Sequence, residues 1–441
     1  MRKGIFIFMI LVFICYGCTS KPQQPPQEAI RLKVLAFNSQ VFNQKYGNFF
    51  IATHPNYKLE VISLKDFLSP DQNYYQSLEN AIALEQPDVL SISMEHYAIF
   101  RERSKLRPLN HWMKRDGFDI EGITPAIIDS LQNEAGDLNG LSPVFTGSAL
   151  YINKKMLAES GIPVPTDSLT WDQVFQLAQQ VKPDNKQVRQ YGLYTKYAAN
   201  PYMMALYVGE GSGLHFFNHG NEHFTFDAPG WENVFQNIVD CFQAQVCYDN
   251  HSKASKRSMT REESEVRSYP FLAGNIALAV DDSALYRILT ASKDRYNDLE
   301  WTVVPSPTSS QYPTTGNGIR MEEIFAIPAG AKHADDAWEL VKYICGDDYG
   351  KLLPHINPDD LPAREATDEE GLAEVFYKLD HVNNNRINGL RRLPDPVLKK
   401  MEEVSASYIA HMLEQNMPVR DALHQMQHAL QTAWDNSTNP G

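Results

Sequence analysis

Residues 139–181 read NGLSPVFTGSALYINKKMLAESGIPVPTDSLTWDQVFQLAQQV, and this stretch decides the fold. SALYIN is a strand that ends in a polar turn. KKMLAESG is a short helix stopped by Gly161, and Pro163 and Pro165 punctuate the next loop. Thr170 stands as an N-cap. Gln173, three residues on, completes a capping box, in which two otherwise unpaired backbone N–H groups are satisfied reciprocally. Val174, Leu177, Ala178 and Val181 then form the apolar stripe of the following helix.

The same alternation of element types runs upstream. IRLKVLAF (30–37), YKLEVISL (57–64) and PDVLSIS (87–93) are strand-like. A helix-compatible stretch from Gln40 to Thr53 lies between the first two. YYQSLENAIALEQ (74–86) lies between the second and third and places Tyr75, Leu78 and Ile82 on one helical face. This β-α-β-α-β order predicts parallel strands with right-handed crossovers. The turn after the first strand, AFNSQ (36–40), holds no Gly-rich phosphate loop, which argues against a nucleotide site there.

Composition narrows the function. The chain has 441 residues, 43% of them hydrophobic and 11% aromatic, enough for a sizeable core. At roughly 150 residues per domain, two or three domains fit. The formal net charge of -14 argues against nucleic acid and anionic lipid as partners. The five cysteines are too sparse for a disulfide framework. Cys241 and Cys247 either bridge or stay as two buried thiols.

At the N-terminus, Arg2 and Lys3 precede ten apolar residues, Ile5 to Ile14, and then CYGC. The run is short of the ~20 residues that span a bilayer as a helix, and it suits a signal-peptide core. A redox CxxC would sit beside a βαβ pattern instead. The arrangement resembles a bacterial lipobox, with Cys15 and Tyr16 departing from the usual Leu-small pair. The resemblance implies that residues 1–17 leave as a signal peptide and that Cys18 carries the lipid, palmitate included. Residues 18–29 become a Pro/Gln-rich linker, extended at ~3.1 Å per residue where polyproline-like. An ordinary cleaved signal or an N-terminal anchor is the alternative.

The decisive stretch resembles the family 1 extracellular solute-binding proteins of ABC importers. The matching residues are Leu141-Ser142-Pro143, Tyr151-Ile152-Asn153-Lys154, Gly161 and Thr170-Trp171-Asp172. FLAGNIALAVDDS (271–283) is similar to a further block, with Asn275 where lysine is usual. IFAIPAGAKHADDAWELVKYICGDD (324–348), LPAR (361–364) and PVRDALHQMQHALQTAW (418–434) resemble the remainder, in the same order.

The resemblance implies an α/β, two-lobed periplasmic-binding-protein-like fold, each lobe a sheet flanked by helices, with a ligand cleft between lobes. Expected lobes are 30–146 plus 304–345, and 147–303 plus 346–441. Crossings are expected near Phe145–Gly147, Val303–Pro305 and Ile344–Asp347. It further implies a lipid-anchored, monomeric receptor on the extracytoplasmic face of the cell membrane. That receptor binds a carbohydrate, an oligosaccharide above all, and delivers it to ABC permease subunits by hinge closure. It would need no cofactor and no metal, and would perform no catalysis. Strand-end positions supply the candidate ligand contacts, because open α/β sheets bind at the carboxyl ends of their strands. These are Asn38, Ser39, Glu95, Phe145, Thr146, Tyr202, Glu210, Asp282 and Asn317. Alternatives are a receptor for a polyol or phosphorylated polyol, a secreted carbohydrate-active enzyme, and a sensor that presents its ligand to a membrane kinase.

Other features have plainer readings. His215, His219 and His223 have metal-like spacing, but Asn218–Asn221 is turn chemistry, which favours a hairpin on which the three do not converge. GEGSG (209–213) reads as a tight turn rather than a serine elbow. Asp281 and Asp282 are expected on opposite faces of a strand, so they do not form a glycosidase pair. Thr315-Gly316-Asn317-Gly318 is a loop that the resemblance places near the cleft. Arg101, Arg103 and Arg107 would suit a phosphate, but a solvated loop is preferred. Trp231 and Trp338 read as core.

Overall fold

The computed structural model describes residues 29–69, 71–182, 188–196, 200–218, 220–249, 259–356, 360–364, 371–382, 390 and 393–438. Cys18, the signal peptide, the linker up to Glu28 and His219 lie outside them. Among the described residues no helix is long and apolar enough to cross a membrane.

Two sheets organise the chain into two lobes. In the first, Tyr57–Ser63, Ile30–Ala36 and Val89–Ile92 run parallel, with Ile30–Ala36 in the middle, as the β-α-β-α-β order predicts. Ile324–Ala326 returns from far along the chain and inserts antiparallel between Val89–Ile92 and Gly140–Leu141. The helix Tyr74–Glu85 begins with a capping box from Asn73 and Gln76 and buries Ser77, Leu78 and Ala81.

The second sheet has the order Trp301–Pro305, Val144–Asn153, Ile276–Asp282, Tyr191–Thr195. Its strands are buried on both faces, so they are apolar at nearly every position. Leu150 and Ile152 join a cluster that includes Trp171 and Trp231, while Ala149 and Tyr151 point the other way, into a cluster continuous with the first lobe. Tyr151 is fully buried, and its hydroxyl donates to the backbone oxygen of Asp282 at 2.6 Å. The capping box of Thr170 and Gln173 forms as the sequence predicts.

Val144–Asn153 serves both lobes. Val144 and Phe145 pair with Pro362 and Leu361, and Thr146 and Gly147 pair with Arg320 and Ile319. From Ser148 onward the strand belongs to the second sheet. Two segments differ from the expected lobe assignment. Val304 and Pro305 pair with Leu150 and Ala149, so they belong to the second sheet, and the chain reaches the first sheet only at Ile324. The helix Asp347–Ile356 packs on the first lobe. Its Tyr349 ring lies 5.7 Å from Tyr46 and 5.5 Å from Tyr343, an aromatic contact that the preceding helix Ala334–Cys345 helps to build. The long helices Asp395–Glu414 and Val419–Thr438 pack on the second lobe beside Trp231.

Candidate functional site

A cavity of about 1090 Å³ opens at the carboxyl ends of Ile30–Ala36 and Val89–Ile92. Its lining is almost wholly first-lobe. Asp395, in the first turn of a second-lobe helix, also lines it, so the cavity lies between the lobes.

Aromatic rings stand open on its wall. Phe37, the residue after the first strand, is 54% exposed, and Tyr74, just past the Asn73 cap, is 37% exposed. Large apolar groups left this open at a concave site mark a contact surface. The ring of His96 lies 4.6 Å from Tyr74, and its Nδ1 is 2.8 Å from the Ser93 hydroxyl. The Tyr75 hydroxyl donates to Glu79 at 2.8 Å and accepts from Arg103 at 2.6 Å. Burial, then the bond to Glu79, push that phenol up to about 12. Burial and nearby Glu322 also raise the Tyr74 phenol.

The polar lining is acidic. Glu95, Glu102, Glu322, Glu323 and Asp395 face one guanidinium, that of Arg103. Glu322 pairs with Arg320 at 2.6 Å. Glu323 accepts from the Tyr46 hydroxyl at 2.5 Å and pairs with Lys45 at 3.3 Å. Burial and Glu323 together hold the Tyr46 phenol well above its usual range.

Of the nine strand-end candidates, Asn38 and Glu95 line this cavity. Asn38 also caps a helix, accepting from the backbone N–H groups of Gln40 and Val41. Ser39 starts that helix, and its N–H donates to Ser63 Oγ. The other six point elsewhere. Phe145 is buried against Tyr377, and Thr146 pairs with Arg320 on the shared strand. Tyr202 is buried in the second lobe between Phe226 and Phe235. Glu210 is buried beside Asn317, whose amide donates to the Tyr207 carbonyl at 2.8 Å and to Glu210 at 3.5 Å. Asp282 caps the helix Ser283–Ala291.

Sequence reasoning missed Phe37, Tyr74, His96 and Glu322. The signal available was an aromatic residue directly after a strand, at the sheet edge where such folds bind.

Asp281 and Asp282 correct the opposite-face expectation. Both carboxylates reach one ammonium: Lys196 Nζ is 3.2 Å from Asp281 and 2.9 Å from Asp282. The strand ends at Asp282, which turns into the helix as its cap, so strict alternation fails there. Lys196 also sits 3.8 Å over the Tyr269 ring. Burial raises the Asp281 carboxyl to about 7, against the pull of Lys196.

The remaining features are structural. Phe217–Asn218 and His223–Phe224 form the expected hairpin, and no metal-holding cluster occurs among the described residues. Cys241 and Cys247 are bonded. Arg101 binds the carbonyls of Leu131 and Gln132, and Arg107 that of Ala331; of the three arginines, Arg103 reaches the cavity. GEGSG is a turn only at its end: Gly209–Gly211 close the helix Pro201–Gly211, where a Cβ on Gly209 would fall 2.2 Å from the Trp231 ring, and Gly213 turns with φ +79°.

The sequence profile of the bacterial extracellular solute-binding proteins matches residues 36–351. The chain belongs to that family. As a solute-binding protein it is a transport receptor and not an enzyme. Solved structures agree on the two-lobed fold. A sugar transporter protein of Rhizobium etli in an open conformation gives a TM-score of 0.67 at 16% identity, over 91% of this chain and 99% of that one. The sugar-binding protein MalE of Xanthomonas citri gives 0.67 at 17%, over 92% and 98%. A solute-binding protein of Agrobacterium vitis with bound D-mannitol gives 0.59 at 18%, over 94% and 100%. No curated protein sequence matches the chain. The family is extracellular, and of these three structures the Agrobacterium vitis protein holds D-mannitol.

Proposed function

We propose that this solute-binding protein captures a carbohydrate, an oligosaccharide above all, between its lobes and hands it to ABC permease subunits by hinge closure. The observation that carries this reading is the interlobe cavity of about 1090 Å³ with Phe37 and Tyr74 exposed on its wall. A sugar has an apolar CH face and a rim of hydroxyls. Aromatic rings cover the face with few rotors to freeze. Carboxylates such as Glu95 accept from the hydroxyls, and a buried hydroxyl without its partner costs roughly 1–3 kcal/mol, which sets specificity. Ligand binding shifts the lobes by its differential affinity for the closed form.

The acidic lining disfavours a phosphorylated polyol, whose charge would meet like charge in a cleft that focuses the field. A neutral polyol stays compatible. The proposed tether is a lipid on Cys18, with the monomeric receptor body held by the linker on the outer face of the membrane. Its test is Cys18→Ala, which should release the protein or block its processing; unchanged retention with normal maturation would refute it.

A thermal-shift screen against neutral, amino and acidic saccharides and polyols tests the ligand class. A sugar at 100 times its dissociation constant stabilises by roughly 2.7 kcal/mol. Shifts with phosphorylated solutes and none with sugars would overturn the reading.

A further inference from the structure

We propose that Lys45 is a positioning residue that holds the two lobes in the arrangement seen here, and that the cavity acts on it through Glu323. Lys45 lies in the first-lobe turn Asn43–Gly47. Its ammonium is 3.3 Å from Glu323, which lines the cavity, and 3.3 Å from Asp360. Asp360 directly precedes Leu361–Pro362, the pair that binds the shared strand at Val144 and Phe145. The backbone oxygen of Asp360 accepts from Arg287 Nη2 at 2.6 Å. Arg287 belongs to the helix Ser283–Ala291, which leaves the second sheet directly after Asp282. One polar chain therefore runs from cavity to first lobe to hinge to second lobe: Glu323, Lys45, Asp360, Arg287.

The chain is anchored at its first-lobe end. Tyr46 donates to Glu323 at 2.5 Å, the Tyr349 hydroxyl donates to the Lys45 carbonyl, and Ser142 Oγ donates to the Glu323 backbone oxygen at 2.8 Å. The side chains of Lys45, Glu323 and Asp360 are about a quarter exposed, at 24%, 23% and 27%. Isolated exposed pairs contribute little, whereas a linked, partly sheltered set with defined geometry holds more. Burial is the largest single influence on the Lys45 ammonium and lowers it, but Glu323 and Asp360 together outweigh it and leave it raised.

The arrangement held is the open one, because the cavity takes nearly all its described lining from one lobe. A ligand group that hydrogen-bonds Glu323 draws that carboxylate away from Lys45 and loosens the chain from inside the cleft. Ligand capture and lobe release then share one side chain. The inference does not depend on which solute binds.

The test uses the ligand-free full chain with a fluorophore pair attached by azide–alkyne chemistry at Leu84 and Gln176, exposed helix positions on opposite lobes. Lys45→Met should raise the mean transfer efficiency as a closed population appears, at the ~0.1–10% or more that such biases normally hide. Lys45→Arg, which keeps the charge, should restore the wild-type distribution. Asp360→Asn should shift it in the same direction as Lys45→Met, and this second variant carries the test if the first fails to fold. An efficiency distribution in folded Lys45→Met or Asp360→Asn that is unchanged, or shifted to lower efficiency, overturns the proposal.

Discussion

The first lobe's cavity wall and the second lobe's wall, built from the ends of the strand Ile276–Asp282 and the helix Pro201–Gly211, both carry polar and aromatic groups, yet they use them differently. On the first lobe, Phe37 and Tyr74 stand open, and Glu95 has no ion pair among the described residues. On the second lobe, Asp281 and Asp282 close on Lys196, and Glu210 closes on Asn317. A strand-end position brings a residue to the cleft edge. Whether that residue faces a ligand depends on whether a cap, a pair or a neighbouring amide has already taken its polar atoms.

This contrast is open to attack by substitution. The largest effect is expected from Lys196→Met, which leaves Asp281 and Asp282 together and uncompensated. Removing one partner of a buried set costs about 3–5 kcal/mol, read as a lower denaturant midpoint. A variant as stable as wild type would show the second wall to be as unencumbered as the first.

Next comes Tyr74→Ala on the open wall. It should weaken binding of whichever sugar the screen finds by about 2 kcal/mol, the scale of an aromatic anchor. Stability should stay within about 0.5 kcal/mol, as for other exposed positions. Calorimetric titration and thermal melts separate the two. A large loss of stability with intact affinity would reverse the assignment of the walls.

Asp281 gives a pH signature. Burial raises its folded-state carboxyl to about 7, from an ordinary value of 3.8. The folded protein therefore binds this proton more tightly than the unfolded chain does. Its contribution favours folding below about pH 4 and is lost as pH rises towards 7. Other carboxylates, such as Asp116, are held low by hydrogen bonds and act in the opposite sense. The informative quantity is thus the difference between wild type and Asp281→Asn in urea midpoints at pH 5 and pH 8. Wild type should lose more than the variant over that range. Equal losses would place the proton elsewhere.

The smallest effect is expected from Glu95→Gln. A carboxylate in the first turn of Met94–Glu102 stabilises the helix dipole by roughly 0.3–1 kcal/mol. A drop in thermal stability beyond that range would mean that Glu95 is tied into the fold, as the second-wall carboxylates are.

The backbone was far more legible than the site. The β-α-β-α-β start, the helix 171–180 with its capping box, the hairpin at Asn218 and the buried Trp231 and Trp338 all follow from local periodicity and capping chemistry. Lobe membership was harder, since Asp347–Ile356 is placed by Tyr46, some three hundred residues earlier in the chain. The site was hardest. Nothing local distinguishes Asp282, which caps a helix and binds Lys196, from Glu95, which does neither. Tyr202 and Tyr74 are both tyrosines at a helix start, one enclosed by Phe226 and Phe235 and the other open to the cleft.

The late insertion of Ile324–Ala326 into the first sheet has a consequence in time. As the chain is synthesised, the strands up to Val89–Ile92 and then Gly140–Leu141 emerge early, but the partner that lies between them comes last. At about 5–20 residues per second, that gap is on the order of ten to forty seconds. For that interval Val89–Ile92 presents a bare, apolar edge, the kind of surface that pairs with other chains. Folding of the first lobe therefore waits on most of the sequence, and the second lobe, completed by Asp395–Glu414 and Val419–Thr438, finishes later still.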